Sequence, residues 1–411
     1  MLTVLLFILI LGLLVVAHEF GHFITARKSG MKVFEFGFGF PPRALGFYCD
    51  PQSKKFVWIF GSGKTKEQKE KQKSTLANTV GGEEREEEYP STLWSLNWLP
   101  LGGFVKIKGE NGENSQDNDS FGAQKAWKKI VVLAAGVTMN VILAFVVLSL
   151  GLMIGLPTDL SGGDNDPQAI IIEKPSVVVE QVEDASPAKA AGIQFGDKIL
   201  RIGSADMNWF EGEKLIGEEI NSQKLVTYVN EHSSEEMSLV IERTGQNLVL
   251  KITPEMIKNA STPKLGIALV DAGIIKYPWY LAIYKGFTAT FILLANIFVG
   301  FYYLLKNLIL GNGLIADVAG PVGIATIVGQ SAKLGFNYLL NIIAMLSLSL
   351  AAINILPIPA LDGGRIVFVI LEKIFGKPVP MKYEQIAHTI GFLLLMLLVV
   401  VVTFRDVVKL F

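Results

Sequence analysis

The sequence predicts a multi-pass α-helical membrane protein with four transmembrane helices, membrane-associated β-hairpin segments and one α+β domain outside the bilayer. Three observations predict it. Half of the 411 residues are apolar and only 18% are charged, and the mean hydropathy is positive at +0.42. Five apolar stretches approach the roughly 20 residues that a helix needs to cross about 30 Å of hydrocarbon. Two hydrophilic regions, Arg27–Lys129 and Pro157–Lys276, separate the first three of these stretches.

The first stretch, Leu2–Ala17 continuing to Ala26, defines a helix over 1–27. It has no basic residue before Arg27 and runs on into polar residues of chemical interest, so it reads as a retained span rather than a cleaved signal peptide. Residues 28–129 read as a cytoplasmic or membrane re-entrant β region interrupted by a charged, solvated insert at 61–90. Gly61-Ser62-Gly63-Lys64-Thr65 is not a phosphate-binding loop, because Trp58 stands where that loop requires glycine. Residues 130–156 form the second span. A domain over 168–271 follows, with strand-like runs such as Val177–Val182 and glycine turns. Asp164-Asn165-Asp166 lacks calcium-loop spacing. The remaining elements are an apolar segment over 278–330, a span over 336–364 and a last span over 386–404.

Charge and cysteine content exclude some classes. A net charge of −1 gives no basis for nucleic-acid binding, and the single cysteine, Cys49, excludes an intrachain disulfide. The basic residues orient the chain. None precedes Arg27, whereas Arg27–Lys129 carries seventeen, several beside the helix ends. Positive loops stay inside, so the N-terminus is expected outside and 28–129 in the cytoplasm. The second helix then returns outward, placing Pro157–Lys276 on the outer side.

The chemistry sits in the first helix. His18-Glu19-Phe20-Gly21-His22 puts two imidazoles one turn apart on one helix face, where both reach one metal ion. Zinc suits these ligands, and Glu19 is placed to act on a water there. A polar helix end at the bilayer surface is the plain alternative. Only four histidines occur in the chain, and ionisable residues inside apolar helices are costly and functional by default. A catalytic zinc needs a third ligand. Asp362, in Asn354-Ile355-Leu356-Pro357-Ile358-Pro359-Ala360-Leu361-Asp362-Gly363-Gly364, closes a long apolar helix. The prolines break that helix and the glycine pair permits a tight turn. A capping aspartate at a helix end is an equally good reading of those residues alone.

The H-E-F-G-H motif together with N-x-x-P-x-P-x-L-D-G-G resembles the site-2 protease family of intramembrane zinc metalloproteases, peptidase M50, in its bacterial regulator-of-sigma-E form. Phe36-Gly37-Phe38-Gly39-Phe40, Trp98–Val105 and Gly320-Pro321-Val322-Gly323 match as well, so the resemblance spans nearly the whole chain. It implies His18, His22 and Asp362 as Zn2+ ligands, Glu19 as general base, and substrate contacts from Asn354, Pro357, Gly37, Gly39, Gly102 and Gly103. It also implies a bacterial inner-membrane location and single-span membrane proteins as substrates, anti-sigma factors or remnant signal peptides among them. In the second helix the family's G-P-x-x-N stands as Gly136-Val137-Thr138-Met139-Asn140, with valine in place of proline. Ser186–Gly203 resembles the core of a PDZ domain, and Lys264-Leu265-Gly266-Ile267 its carboxylate-binding loop in the circularly permuted arrangement. Leu265, Gly266 and Ile267 are then candidate peptide-binding residues, and a domain that only obstructs access is the alternative.

Depth gives a topological expectation. His18 lies near the inner end of helix one, so Asp362 must lie at similar depth and the helix before it must run inward. The region before Lys276 is already outside. Leu281–Leu310 therefore does not cross once; it lies on the surface or enters and leaves on one face. Four spans result, with both termini outside. An unwound substrate in lipid needs partners for its backbone, and Phe34–Phe40 and Leu101–Lys108 are expected to offer strand edges. The rival readings are a catalytically silent PDZ receptor and a zinc-binding transporter or scaffold. Glu19 between the two histidines argues for hydrolysis over either.

Overall fold

A computed structural model describes residues 2–61, 89–110, 117–160, 166–183, 186–204, 221–233, 235–243, 245–256, 262–310, 319–377 and 379–408. Most of the charged insert at 61–90 lies outside these residues. The chain divides into two compact units. One comprises Met1–Ala144, Thr290–Pro321 and Ile343–Phe404, the other Phe145–Ala289, Val322–Ile342 and Arg405–Phe411.

The first unit is built on helix α1 (Leu2–Lys28) and a three-stranded sheet, β1 (Val33–Cys49), β2 (Phe56–Phe60) and β3 (Leu93–Ile107), ordered β2-β1-β3. The sheet is folded over on itself. Glu35–Phe38 of β1 faces Leu93–Leu96 on one side and Gly103–Lys106 on the other, while Arg43–Phe47 returns along Trp94–Asn97. Gly39, at φ +79, makes the bend possible: a Cβ there would stand 2.5 Å from the Leu99 carbonyl oxygen. The first half of β1 is therefore internal. Of the two segments expected to offer a strand edge, the one on β3 has an edge without a strand partner among the described residues, whereas Glu35–Phe38 within Phe34–Phe40 is paired on both sides. Phe23, Ala26, Met31, Val33, Phe36 and Ile107 bury together where α1 meets the sheet. Lys108 at the end of β3 holds Asp117 at 2.7 Å and Asp119 at 2.8 Å, and these acceptors hold its ammonium well above the usual lysine range.

Helix α2 (Ala126–Ile154) leads to the second sheet, of six strands: β4 (Leu156–Asp159), β5 (Ile170–Val182), β6 (Lys198–Ser204), β7 (Met237–Arg243), β8 (Gln246–Ile252) and β9 (Ile267–Lys276). Their order is β4-β9-β5-β6-β7-β8. Between them come the short helix α3 (Pro187–Ala190) and the amphipathic α4 (Ser222–Glu231). Val177, Val179, Ile193, Ile199, Leu225, Met237, Leu239 and Ile241 form the core of this domain. Sheet pairing reaches from Leu156 to Lys276, past both ends of the 168–271 expected from sequence.

Helices α5 (Trp279–Ile309), α6 (Pro321–Leu334), α7 (Phe336–Asn354), α8 (Asp362–Phe375) and α9 (Met381–Val408) complete the chain. Among the described residues five helices are long and apolar enough to cross a membrane: α1, α2, α5 over Trp279–Asn307, α7 and α9. The segment over 278–330 thus contains one unbroken helix of 31 residues. A helix without a break does not turn back on itself, so a segment that enters and leaves on one face within α5 is ruled out.

Candidate metal centre

Helix α1 presents His18 and His22 on one face, both buried, with ring centroids 4.9 Å apart. Helix α2 packs against that face at two glycines. A Cβ on Gly21 would lie 2.3 Å from the Ala135 carbonyl oxygen, and one on Gly136 would lie 2.4 Å from His22 Nε2 and 2.7 Å from His18 Cε1. Small residues let helix backbones approach this closely, so Gly136 clears the space that the imidazoles occupy. The same helix supplies their outer partners. His22 Nδ1 lies 2.8 Å from the Val132 carbonyl oxygen, which requires the proton on Nδ1 and leaves a lone pair on Nε2. Asn140, one turn beyond Gly136 and fully buried, places its side-chain amide 3.3 Å from His18 Nδ1. Its Oδ1 has no partner. A half-turn of the amide exchanges O and N and lets Oδ1 accept the His18 Nδ1–H. Ser347 of α7 donates to the Asn140 main-chain carbonyl at 2.8 Å.

Asp362 arrives differently from the sequence expectation. Helix α7 ends at Asn354, a turn-rich loop follows, and Asp362 opens α8 with Leu361 at the N-cap; it does not close the preceding helix. Gly363 and Gly364 also act differently. They lie in the first turn of α8, where a Cβ would stand 2.2 Å from the Leu356 carbonyl oxygen and 2.3 Å from that of Ile358. They permit close packing of helix on loop. Arg365, one turn along α8, is ion-paired with Glu110 beyond β3.

Three side chains converge at the centre. Asp362 Oδ2 is 3.0 Å from His18 Nε2 and 3.4 Å from His22 Nε2, and the two Nε2 atoms are 3.2 Å apart. Oδ2 has no hydrogen-bond partner among the described residues. Atoms about 2.0–2.1 Å from one tetrahedral ion lie about 3.3 Å from each other. Two imidazole nitrogens and a carboxylate oxygen at this spacing fit a zinc ion, and hydrogen bonding does not account for Oδ2. Glu19, the residue after His18, has β3 alongside: a Cβ on Gly103 would lie 3.6 Å from Glu19 Cγ and 3.4 Å from Val15.

The other sequence candidates are distributed as follows. Gly103 is beside Glu19, and Gly37 pairs with Phe104 in the same sheet. Gly39 and Gly102 take positive φ at bends. Asn354 is half-buried at the end of α7, and Pro357 is exposed in the loop before Asp362. Just before β9, the Leu265 side chain is buried in the domain core. Gly266, at φ +77, bends the chain into β9, and Ile267 lines a cavity of about 290 Å³ with Leu269, Ser222, Gln223 and Val226. Sequence reasoning missed the last four, together with the roles of Val132, Asn140 and Gly21. The spacing of Val132, Gly136 and Asn140 at four-residue intervals was the available signal: it puts all three on one face of α2.

The chain is similar to known proteins over nearly its whole length. The model of peptidase family M50 matches residues 6–79 and 84–398. The chain is 30% identical to the regulator of sigma-W protease RasP of Bacillus subtilis, over 100% of this chain and 99% of that one. It is 32% identical to the zinc metalloprotease RasP of Bacillus licheniformis, with the same coverage. Among solved structures, the PDZ domain of the SdrC-like protein of Listeria innocua is 22% identical, covering 23% of this chain and 92% of that one, with a TM-score of 0.18.

Proposed function

The chain belongs to peptidase family M50 and is a multi-pass membrane zinc metalloprotease, and on that premise we propose that it cleaves within transmembrane segments of single-span membrane proteins, with His18, His22 and Asp362 as zinc ligands. The observation that carries this reading is the convergence of two Nε2 atoms and an unpartnered carboxylate oxygen at 3.0–3.4 Å, with Glu19 adjacent.

Zinc, when bound, acidifies a water and polarises the scissile carbonyl. Glu19 takes the proton of the attacking water and passes it to the leaving amine. Asn354 donates to the substrate backbone or the developing oxyanion. An unwound substrate segment pairs with the outer edge of β3 at Leu101–Ile107, where the absence of a side chain on Gly103 keeps the strand close to Glu19. Pairing satisfies backbone groups that lipid leaves unsatisfied.

The orientation follows the basic residues. The N-terminus and the six-stranded domain are on the outer face of a bacterial inner membrane, 28–129 is cytoplasmic, and α1, α2, α7 and α9 span. Helix α5 lies along the surface, its hydrophobic side chains against lipid. The outer domain is a PDZ domain whose groove takes a substrate tail. Strand β4 pairs with β9 over Ala272–Ile275, and Leu160 N–H donates to the Asp271 carbonyl at 2.8 Å. The edge of β9 left for a guest is therefore Ile267–Val270. Substrates are of the anti-sigma-factor or remnant signal-peptide type, in keeping with a relative named for sigma-W regulation.

Cleavage of a single-span substrate in detergent by wild type and by Glu19→Gln tests the mechanism. Retained zinc with lost cleavage is expected in the variant; equal cleavage by both overturns the assignment. Reporters fused after Leu310 and after Asp362 test the four spans: the first is expected outside and the second inside, and an inside reporter after Leu310 refutes a surface-lying α5.

A further inference from the structure

The fourth histidine, His388, has no part in the mechanism above, yet it lies half-buried in helix α9 against the loop that delivers Asp362. Its Nδ1 accepts the Ala360 main-chain N–H at 2.8 Å. Ala360 is one of two non-glycine residues at positive φ, +80°, among the described residues, a conformation in which an L side chain crowds the following carbonyl. Three residues along α9, Gly391 abuts Pro359: a Cβ there would lie 2.3 Å from the Pro359 carbonyl oxygen. Phe368 of α8 lies against the imidazole, with ring centroids 5.6 Å apart. His388 Nε2 faces Glu384 Oε1 at 3.7 Å, so the ring presents its Nδ1 lone pair to Ala360. The peptide N–H of a strained residue two positions before Asp362 thus has one partner, a side chain from another helix.

We propose that His388 is a positioning residue of the zinc site: by accepting the Ala360 N–H it holds the Pro357–Leu361 loop in its left-handed turn and so sets where α8 begins and where the Asp362 carboxylate points. An acceptor is required at this place because strained backbone persists only where its surroundings over-determine it. An unpaired buried N–H would add to the tendency of the loop to relax. Partners behind a metal ligand commonly change metal affinity 10- to 100-fold when removed. Here the partner acts through backbone instead of through the ligand itself. The inference rests on Asp362 being a zinc ligand, which Asp362→Asn tests separately by loss of zinc.

The experiment uses the full chain purified in detergent and reads zinc affinity by competition with a chelating dye. Thermal unfolding reports on folding. His388→Ala is expected to bind zinc about tenfold or more weakly. His388→Asn, whose Oδ1 falls near the position of Nδ1, should stay within about threefold of wild type on that principle, because the acceptor is kept. Ala360→Gly combined with His388→Ala should recover most of the loss, because glycine holds φ +80 without help. A merely structural role would not be rescued by a substitution at Ala360. Wild-type zinc affinity in His388→Ala overturns the proposal. So does a His388→Asn variant as weak as His388→Ala, or a double variant that recovers nothing. If His388→Ala does not fold, the proposal still requires a folded, zinc-binding double variant, and an unfolded one counts against it.

Discussion

Two aspartates, one in each compact unit, Asp197 buried and Asp362 half-buried, meet opposite fates. Asp197, in the six-stranded domain, is 1% exposed and fully partnered: Arg243 donates from Nε to Oδ1 at 2.7 Å and from Nη2 to Oδ2 at 2.6 Å, and the Gln194 N–H donates at 2.8 Å. Asp362, among apolar helices, faces two imidazole nitrogens and has an oxygen with no hydrogen bond. A carboxylate out of water needs compensating charge or donors. Asp197 receives both from the chain and is structural. Asp362 receives neither in full, and the missing positive charge is what a metal ion supplies. Burial alone therefore does not mark a site; the identity of the neighbours does.

The largest expected effect breaks the comparison at its chemistry. Glu19→Gln should lower cleavage of a single-span substrate by about 10²–10⁴-fold while zinc content and thermal unfolding stay at wild-type values. A matched loss of zinc would make Glu19 a ligand and not a base. Next in size is the structural acid. Asp197→Ala strips Arg243 and the Gln194 N–H of their acceptor and should destabilise the six-stranded domain by about 3 kcal/mol, the lower end for breaking a buried pair because Arg243 keeps some water. Denaturant unfolding and protease sensitivity of the 166–276 region would show it, with zinc affinity unchanged. A change in zinc affinity would mean that the two acids are not separable.

A smaller effect sharpens the metal side. Asn140→Leu fills similar volume but gives His18 Nδ1 no partner, and it should weaken zinc binding about 10- to 100-fold. Asn140→Asp keeps an acceptor and should fall less. Equal losses would assign Asn140 to helix packing alone.

How much of this was legible beforehand depends on whether the signal is local. His18, Glu19 and His22 share one helix face, and the spacing declares it. Asp362 is set apart by two prolines and two glycines. The helices follow from runs of apolar residues, but the span expected over 336–364 stops at Asn354, and Asp362 belongs to the next helix. What was hidden depends on distant partners. The first half of β1 reads as an edge by alternation, but the return of β3 along both of its sides makes it internal. Gly363 and Gly364 suggest a turn, whereas close approach to the Leu356 and Ile358 carbonyls is what demands them. His388 stands among other polar residues at the start of α9, Glu384, Gln385 and Thr389, with nothing in its own sequence to say that its partner is the N–H of Ala360. Leu265 matched a loop pattern, but its side chain went to the domain core.

The smallest expected effect concerns the groove of the six-stranded domain, where partnered groups give way to a backbone edge that has no strand partner among the described residues. In an antiparallel ladder alternate residues turn their N–H and C=O to one side. Asp271 uses that side for Leu160, so Ile267 and Leu269 present theirs to the groove that Val226 and Ser222 also line. Four residues of strand span about 13 Å. A fluorescent ten-residue peptide with a carboxyl-terminal leucine and its last four residues alone should then bind the full chain within about threefold of each other, because β4 already occupies the edge that upstream residues would need. Leu269→Glu, which brings a charge into an apolar lining, should weaken both by about tenfold and leave zinc affinity alone. Strong dependence on the upstream residues would mean that β4 yields its place on β9. No binding of either peptide would leave obstruction of access as the work of this domain.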